Sequence, residues 1–320
     1  MTETTEIVQA EDTSFRKYFP FITATCCAIS IVLFAGINME GKIISWEIYK
    51  KWGAPSSLQI FEGSYWGLIT SNFVHTEVWH IAFNLYWIWI LGKKIEFEST
   101  RLYYILIILT SAFVSSVSQV VFSGSTGIGL SGIGYAFFGF IFIKSRFSPG
   151  YKNYLTQKTI RMFIVWFFVC IILTQLKAWN IGNAAHAGGL LWGMTLAYAS
   201  TFEKSKQWII GFVFIATLTS SVFWYPYSTA WLSHKAYVLH DDQKFDEAIA
   251  IYKEILRRDP ENEFAMENLK QLEGHELIEK AFQLHKDHKY KEARKVYEQI
   301  LQKDPENEWA KENEKRLPNE

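Results

Sequence analysis

Long apolar runs, broken by short polar stretches, dominate roughly the first 225 residues of this chain. They lie near Phe19–Ile37, Asn72–Leu91, Leu102–Phe122, Ser131–Ile143, Met162–Leu176, Ala184–Ala199 and Trp208–Tyr225. About 20 apolar residues carry a helix across roughly 30 Å of hydrocarbon. The fourth run is too short for that unless its start already lies within the membrane. Irregular backbone at that depth is tolerated only when it is buried in protein or lines a wet cavity. These runs lack the polar faces that helices of a soluble all-α domain would need. The pattern therefore predicts an all-α, polytopic membrane bundle.

The pattern changes after Pro226. Lys244-Phe-Asp-Glu-Ala opens a twenty-residue segment that ends Asp259-Pro-Glu-Asn-Glu, and it recurs 45 residues later from Lys289 to Glu308. Ala248, Tyr252 and Ile255, echoed by Ala293, Tyr297 and Ile300, fall on one helix face, and Pro260 and Pro305 end those helices. Ala236 and Leu239, echoed by Ala281 and Leu284, mark a preceding helix in each unit. The arrangement resembles the tetratricopeptide repeat, whose period is about 34 residues. The longer spacing predicts an extra helix around Glu263–Leu272. A charged helical hairpin without a ligand is the simpler alternative. The expected divisions are a polar tail (1–18), a six-helix core (19–204), a seventh span (205–228) and a repeat domain (229–320).

Charge sharpens this division. The chain is neutral, with 32 basic and 32 acidic residues, but Met1–Ala230 has 16 basic against 11 acidic and Trp231–Glu320 has 16 against 21. No basic face suggests nucleic acid. With a cytoplasmic N-terminus, the inner loops hold Arg16, Lys17, Lys93, Lys94, Arg101, Lys144, Arg146, Lys152, Lys158, Arg161, Lys204 and Lys206. The outer loops hold only Lys42, Lys50, Lys51 and Lys177. That bias orients the bundle, and a seventh crossing puts the repeat domain outside. Met1–Phe15 lacks the basic start of a secretory signal, and no organelle presequence is evident, so a bacterial plasma membrane is expected. Cys26, Cys27 and Cys170 lie in apolar runs without metal or disulfide spacing.

Polar residues inside apolar runs are costly and so are functional candidates. Ser131 lies in Gly127-Ile-Gly-Leu-Ser-Gly-Ile-Gly, where Gly129 and Gly132 let backbone approach closely and a helix start leaves free amides for an oxyanion. The soluble G-x-S-x-G elbow has different spacing and needs a preceding strand. His186 adjoins a stripe of small residues, Ala185, Gly189 and Gly193, that permits close helix contact. It is suited to general-base work or to a structural interhelical hydrogen bond. His80 and Asn84 are four apart and share a face. His75 is five residues before His80 and no HExxH occurs, so no metal is predicted. No later apolar run carries a carboxylate, which leaves a Ser–His dyad.

On these residues, with H-x4-H-x3-N, then G-x-S-G, then A-H-x-G-G on successive apolar segments, the chain resembles the rhomboid family of intramembrane serine proteases. The resemblance covers about Phe19–Ala199 and extends to Gly92, Glu96, Tyr135 and Gly139. It implies a six-helix core followed by a seventh span. Ser131 would be the nucleophile, His186 the general base, His80 and Asn84 oxyanion donors with the Ser131 amide, and Tyr135 the ring against the catalytic His. His75, Gly129, Gly132 and Gly189 would be structural neighbours of the site. No cofactor or metal is implied. Partners would be transmembrane protein substrates, the lipid bilayer and proteins bound by the repeats, with substrate access past the fifth segment and the loop before Asn183. The family often has Trp-Arg in the first outer loop, where this chain has Tyr65-Trp66-Gly67. The alternatives are a catalytically inactive rhomboid-like scaffold and a membrane-anchored repeat adaptor.

Overall fold

The computed structural model describes residues 14–41, 45–224 and 229–318. Most of the expected polar tail, Lys42 and the end of the expected seventh segment lie outside the described residues. The chain divides into two compact units, Met1–Trp231 and Leu232–Glu320.

In the first unit the long helices are α1 (Phe21–Met39), α5 (Val78–Glu98), α6 (Arg101–Ser123), α7 (Ser131–Lys144), α8 (Gln157–Gln175), α9 (Asn183–Ala199) and α10 (Lys204–Trp224). Between α1 and α5 run short helices α2 (Trp46–Lys51), α3 (Ser57–Phe61) and α4 (Gly67–Thr70). Every expected apolar segment thus contains a helix, but the second starts at Val78 and not at Asn72. Ser71–Phe73 closes a 3-10 turn instead, and Val74 leaves it in extended conformation. The chain there is committed to tertiary bonds, as the site below makes plain.

Helix α7 is apolar all round and buried along nearly its whole length, as a helix at the centre of a bundle must be. Its 14 residues span only about 21 Å at 1.5 Å per residue, less than the roughly 30 Å of hydrocarbon in a bilayer. Glycines set its distance from α9. A Cβ on Gly193 would collide with the Ala136 carbonyl, and one on Gly139 would come within 2.6 Å of the Leu190 carbonyl. Backbones approach this closely in membranes because small residues line the contact. On α6, the buried Ser111, Ser115, Ser118 and Gln119 form a polar stripe, with Ser115 against Gly132 and Ser118 against Gly188.

The N-terminus of α1 is capped from a distance. Its N-cap residue, Pro20, makes no side-chain bond. The buried Glu96 carboxylate of α5 accepts instead from Ile22 N (2.9 Å), Thr23 N (2.9 Å) and Thr23 Oγ1 (2.7 Å). This satisfies amides that a helix start leaves without partners and sets a negative charge at the positive end of the dipole. Gly92 makes room for it, since a Cβ there would stand 2.5 Å from the Tyr104 hydroxyl.

Helices α8 and α10 pack differently. Helix α8 buries only Phe163 and Cys170 and exposes Ile164, Val165, Phe168 and Ile172. Helix α10 exposes Trp208, Ile209, Phe212 and Val213, while Phe214 lies on the Trp192 ring at 5.0 Å. Apolar surface on this scale belongs in lipid.

The second unit comprises most of α11 (Thr229–Asp241), then α12 (Phe245–Arg258), α13 (Glu263–Lys286), α14 (Tyr290–Lys303) and α15 (Glu308–Lys315). It has two cores. One gathers Ala236, Ala248, Tyr252, Ile255, Ala265 and Leu272, and the other the residues 45 positions on, Ala281, Ala293, Tyr297, Ile300, Ala310 and Leu317. Asn262 and Asn307 cap equivalent helix starts by accepting from Ala265 N and Ala310 N. The expected extra helix around Glu263–Leu272 is not a separate element. It runs without a break into the Ala281–Leu284 helix as the 24-residue α13. The eleven or so residues beyond the usual period add about three helical turns, and no proline interrupts them. The two repeats therefore share α13, whose first half packs in one core and whose second half packs in the other.

Candidate active site

Ser131 is the first residue of α7, and His186 lies in the first turn of α9. The glycine contacts between these helices bring the two side chains together, with Ser131 Oγ 2.8 Å from His186 Nε2. If the hydroxyl donates, Nε2 is the acceptor and Nδ1 carries the proton. That Nδ1 is buried without a hydrogen-bond partner among the described residues, so no carboxylate completes a triad. A serine hydroxyl hydrogen-bonded to an imidazole is an activated nucleophile. Tyr135, one turn along α7, lies against the imidazole with ring centroids 4.7 Å apart and planes inclined by 31°.

The chain entering α7 is shaped by Gly129, whose φ of +101° suits glycine. A Cβ there would also lie 2.6 Å from His80 Cε1 and 3.2 Å from Asn84 Nδ2. Both α5 side chains therefore stand directly over the backbone leading to Ser131. His75 holds this arrangement. Its Nε2 accepts from Asn84 Nδ2 at 2.9 Å and from the Leu130 amide at 3.3 Å, leaving Nδ1–H to donate to the Phe73 carbonyl at 3.2 Å. Those bonds account for the late start of α5. His80 takes no hydrogen-bond partner among the described residues. The Ser131 amide, first in its helix, belongs to the set of donors that a helix start leaves free.

Gly132 and Gly189 lie at the contact itself, where a Cβ on Gly189 would overlap the Gly132 carbonyl. Thus Ser131, His186, His80, Asn84, Tyr135, His75, Gly129, Gly132 and Gly189 converge on one region drawn from α5, α7, α9 and the segments leading into α5 and α7.

Sequence reasoning missed the contribution of α6. Gln119 Oε1 accepts from the Ala185 amide at 3.1 Å, fixing the turn that carries His186, while its Nε2 donates to Ser123 Oγ at 2.6 Å. The signal was present, because Ser111, Ser115, Ser118 and Gln119 interrupt the third apolar run at helical spacing. The aromatic wall was missed too. Trp79 stacks on Trp179 at 4.7 Å, and Phe83 meets Trp166 at 5.7 Å. These residues line a cavity of 730 Å³ that also contains Ser131, His186, His80 and Asn84.

Fold and site define a polytopic helical membrane protein with a serine–histidine pair inside a cavity. Residues 62–203 match the family model described as the rhomboid domain. The chain is 28% identical over 185 residues to the rhomboid protease GlpG of Yersinia pseudotuberculosis, covering 58% of this chain and 63% of that protein. It is 32% identical over 160 residues to the rhomboid protease GlpG of Klebsiella pneumoniae, covering 50% and 56%. With the rhomboid protease GlpG of Salmonella paratyphi A it shares 32% over 145 residues, covering 44% and 51%. The chain therefore spans less than two thirds of the length of these relatives. Over residues 62–203 it is similar to the rhomboid family.

Proposed function

We propose that this protein is an intramembrane serine endopeptidase that cuts transmembrane segments of other membrane proteins. The observation that carries the reading is the 2.8 Å hydrogen bond between Ser131 Oγ and His186 Nε2 inside the cavity. The rhomboid match and the relatives' names support it.

In this mechanism His186 Nε2 takes the Ser131 proton as Oγ attacks the substrate carbonyl, and the imidazolium returns it to the leaving amine. The resulting acyl-enzyme is hydrolysed by water activated by the same imidazole. The developing oxyanion is held by His80, Asn84 and the Ser131 amide, and losing one such donor costs on the order of 100-fold in rate. Asn84 is well suited to this role because His75 holds one amide proton and leaves the other free. Tyr135 keeps the imidazole in plane. A helical substrate must unwind before attack, so small or helix-weakening residues near the outer end of a single span favour cleavage. Access runs between α5 and α8, past Trp79, Phe83, Trp166 and Trp179.

The basic inner loops support a cytoplasmic N-terminus in a bacterial plasma membrane. Seven crossings would put the C-terminal unit outside, where its repeats would recruit substrate or partner ectodomains. Protease accessibility in sealed vesicles tests that side, and an inward-facing unit refutes recruitment there. Deleting 232–320 should slow cleavage of full-length substrates and spare a minimal reporter.

The reading is tested by cleavage of a single-span reporter in proteoliposomes. Ser131→Ala and His186→Ala should each lower the rate by roughly 10⁴-fold or more. Ser131→Ala cutting as well as wild type overturns the protease reading.

A further inference from the structure

Among the described lining residues of the cavity, one alone is Asp, Glu, Lys or Arg. It is Glu77. This residue immediately precedes α5, three positions before His80, so less than one helical turn separates it from the oxyanion side of the site. Glu77 is exposed; its carbonyl accepts from Ile81 N at 3.0 Å, but its carboxylate makes no hydrogen bond or ion pair among the described residues. It occupies the N-cap position of α5, yet its side chain does not cap the helix.

Its surroundings are aromatic. The Tyr49 hydroxyl is pushed above its ordinary pKa, first by burial and then by the charge of Glu77. Tyr49 itself meets Trp46 at 5.4 Å. Trp79, two residues beyond Glu77, lies on Trp179. An unneutralised carboxylate among aromatic faces suits a Lys or Arg side chain, which combines charge-assisted hydrogen bonds with cation–π contact. A charge serving only the dipole of α5 would affect stability and leave substrate choice untouched.

We propose that Glu77 is a specificity-determining residue that selects substrates bearing a Lys or Arg close to the scissile bond on its outer flank. The proposal rests on the protease reading above. Such a preference discriminates, because outer flanks of membrane spans are poor in Lys and Arg.

The test uses the full chain in proteoliposomes and three single-span reporters that differ only in a Lys, Gln or Glu just outside the cleavage site. Wild type should cleave the Lys reporter about tenfold better in kcat/KM than the Glu reporter, mainly through KM. Glu77→Gln should narrow that ratio to within about twofold, and Glu77→Arg should invert it. The Ser131→Ala protein, which binds without cutting, should show the same order in affinity for the three reporters, and the added Glu77→Gln substitution should remove it. Equal affinity and equal cleavage of the Lys and Glu reporters by proteins retaining Glu77, or a preference that survives Glu77→Gln, overturns the proposal. Cleavage that persists in Ser131→Ala overturns the protease reading instead, and the affinity series then still decides whether Glu77 reads charge.

Discussion

Gly189→Ala puts the smallest possible side chain at the tightest contact of the site. The new Cβ would overlap the Gly132 carbonyl and lie 2.9 Å from Ser115 Oγ and 3.0 Å from Gly132 C, where ordinary contact begins at 3.4 Å. The obstacle is backbone, so no rotamer change relieves it, and α9 must withdraw from α7 by about 1 Å in a close-packed interior. His186 is one turn before Gly189 on the same helix. Its 2.8 Å bond to Ser131 would stretch beyond the roughly 3.5 Å at which a hydrogen bond fails. The overpacking should cost about 1–3 kcal/mol in stability, and a shift of about 1 Å at the reacting groups about 10²-fold in rate. Reporter cleavage in liposomes and thermal unfolding followed by tryptophan fluorescence read the two effects. Gly134→Ala, where nothing lies within 4 Å of the added Cβ, is the control for stability and should leave Tm unchanged or raise it. Cleavage by Gly189→Ala within about threefold of wild type would refute the claim that this contact sets the dyad.

The remaining predictions concern other parts of the chain. Glu96→Ala strips acceptors from the start of α1 and should cost about 3 kcal/mol; an unchanged Tm would contradict the capping role. His75→Leu removes the group that orients Asn84 and should lower kcat on the order of 10-fold to 100-fold with little change in KM, whereas a loss confined to KM would point elsewhere. In the C-terminal unit, hydrogen bonds from Arg257 and then Arg258 hold the Glu254 carboxyl at about 2, below its ordinary 4.5. Because the folded value is depressed, its stabilising effect is present above about pH 4.5 and is lost as pH falls toward 2. Glu254→Gln should therefore make hydrogen-exchange protection of α12 less sensitive to pH across that window. Identical pH profiles for the two proteins would disprove the linkage.

Much of the bundle was legible because lipid imposes a simple rule. Apolar runs must be helices, and polar residues within them need a reason. Ser131, His186, His80 and Asn84 stood out on that ground alone. The repeat could likewise be read from residues that recur at 45, since recurring Ala, Tyr and Ile positions mean recurring cores. The limits were equally physical. The run from Asn72 looked like helix because hydropathy does not register the hydrogen bonds by which His75 ties Phe73, Asn84 and Leu130 together. A separate helix at Glu263–Leu272 was expected because a repeat period does not reveal whether two helices fuse; no proline lies before Ala281, and the helix runs on through Gly274.

The sequence alone determined the classes of segment, the dyad's residue types and the glycines that permit close approach, because each is a property of single residues or of spacing along one helix. Only the tertiary structure decided which glycine meets which carbonyl, that Gln119 and His75 hold the partners in place, and that Glu77 is the one Asp, Glu, Lys or Arg side chain among the described residues lining the cavity. Those are distances between residues far apart in the chain, set by how helices pack against one another.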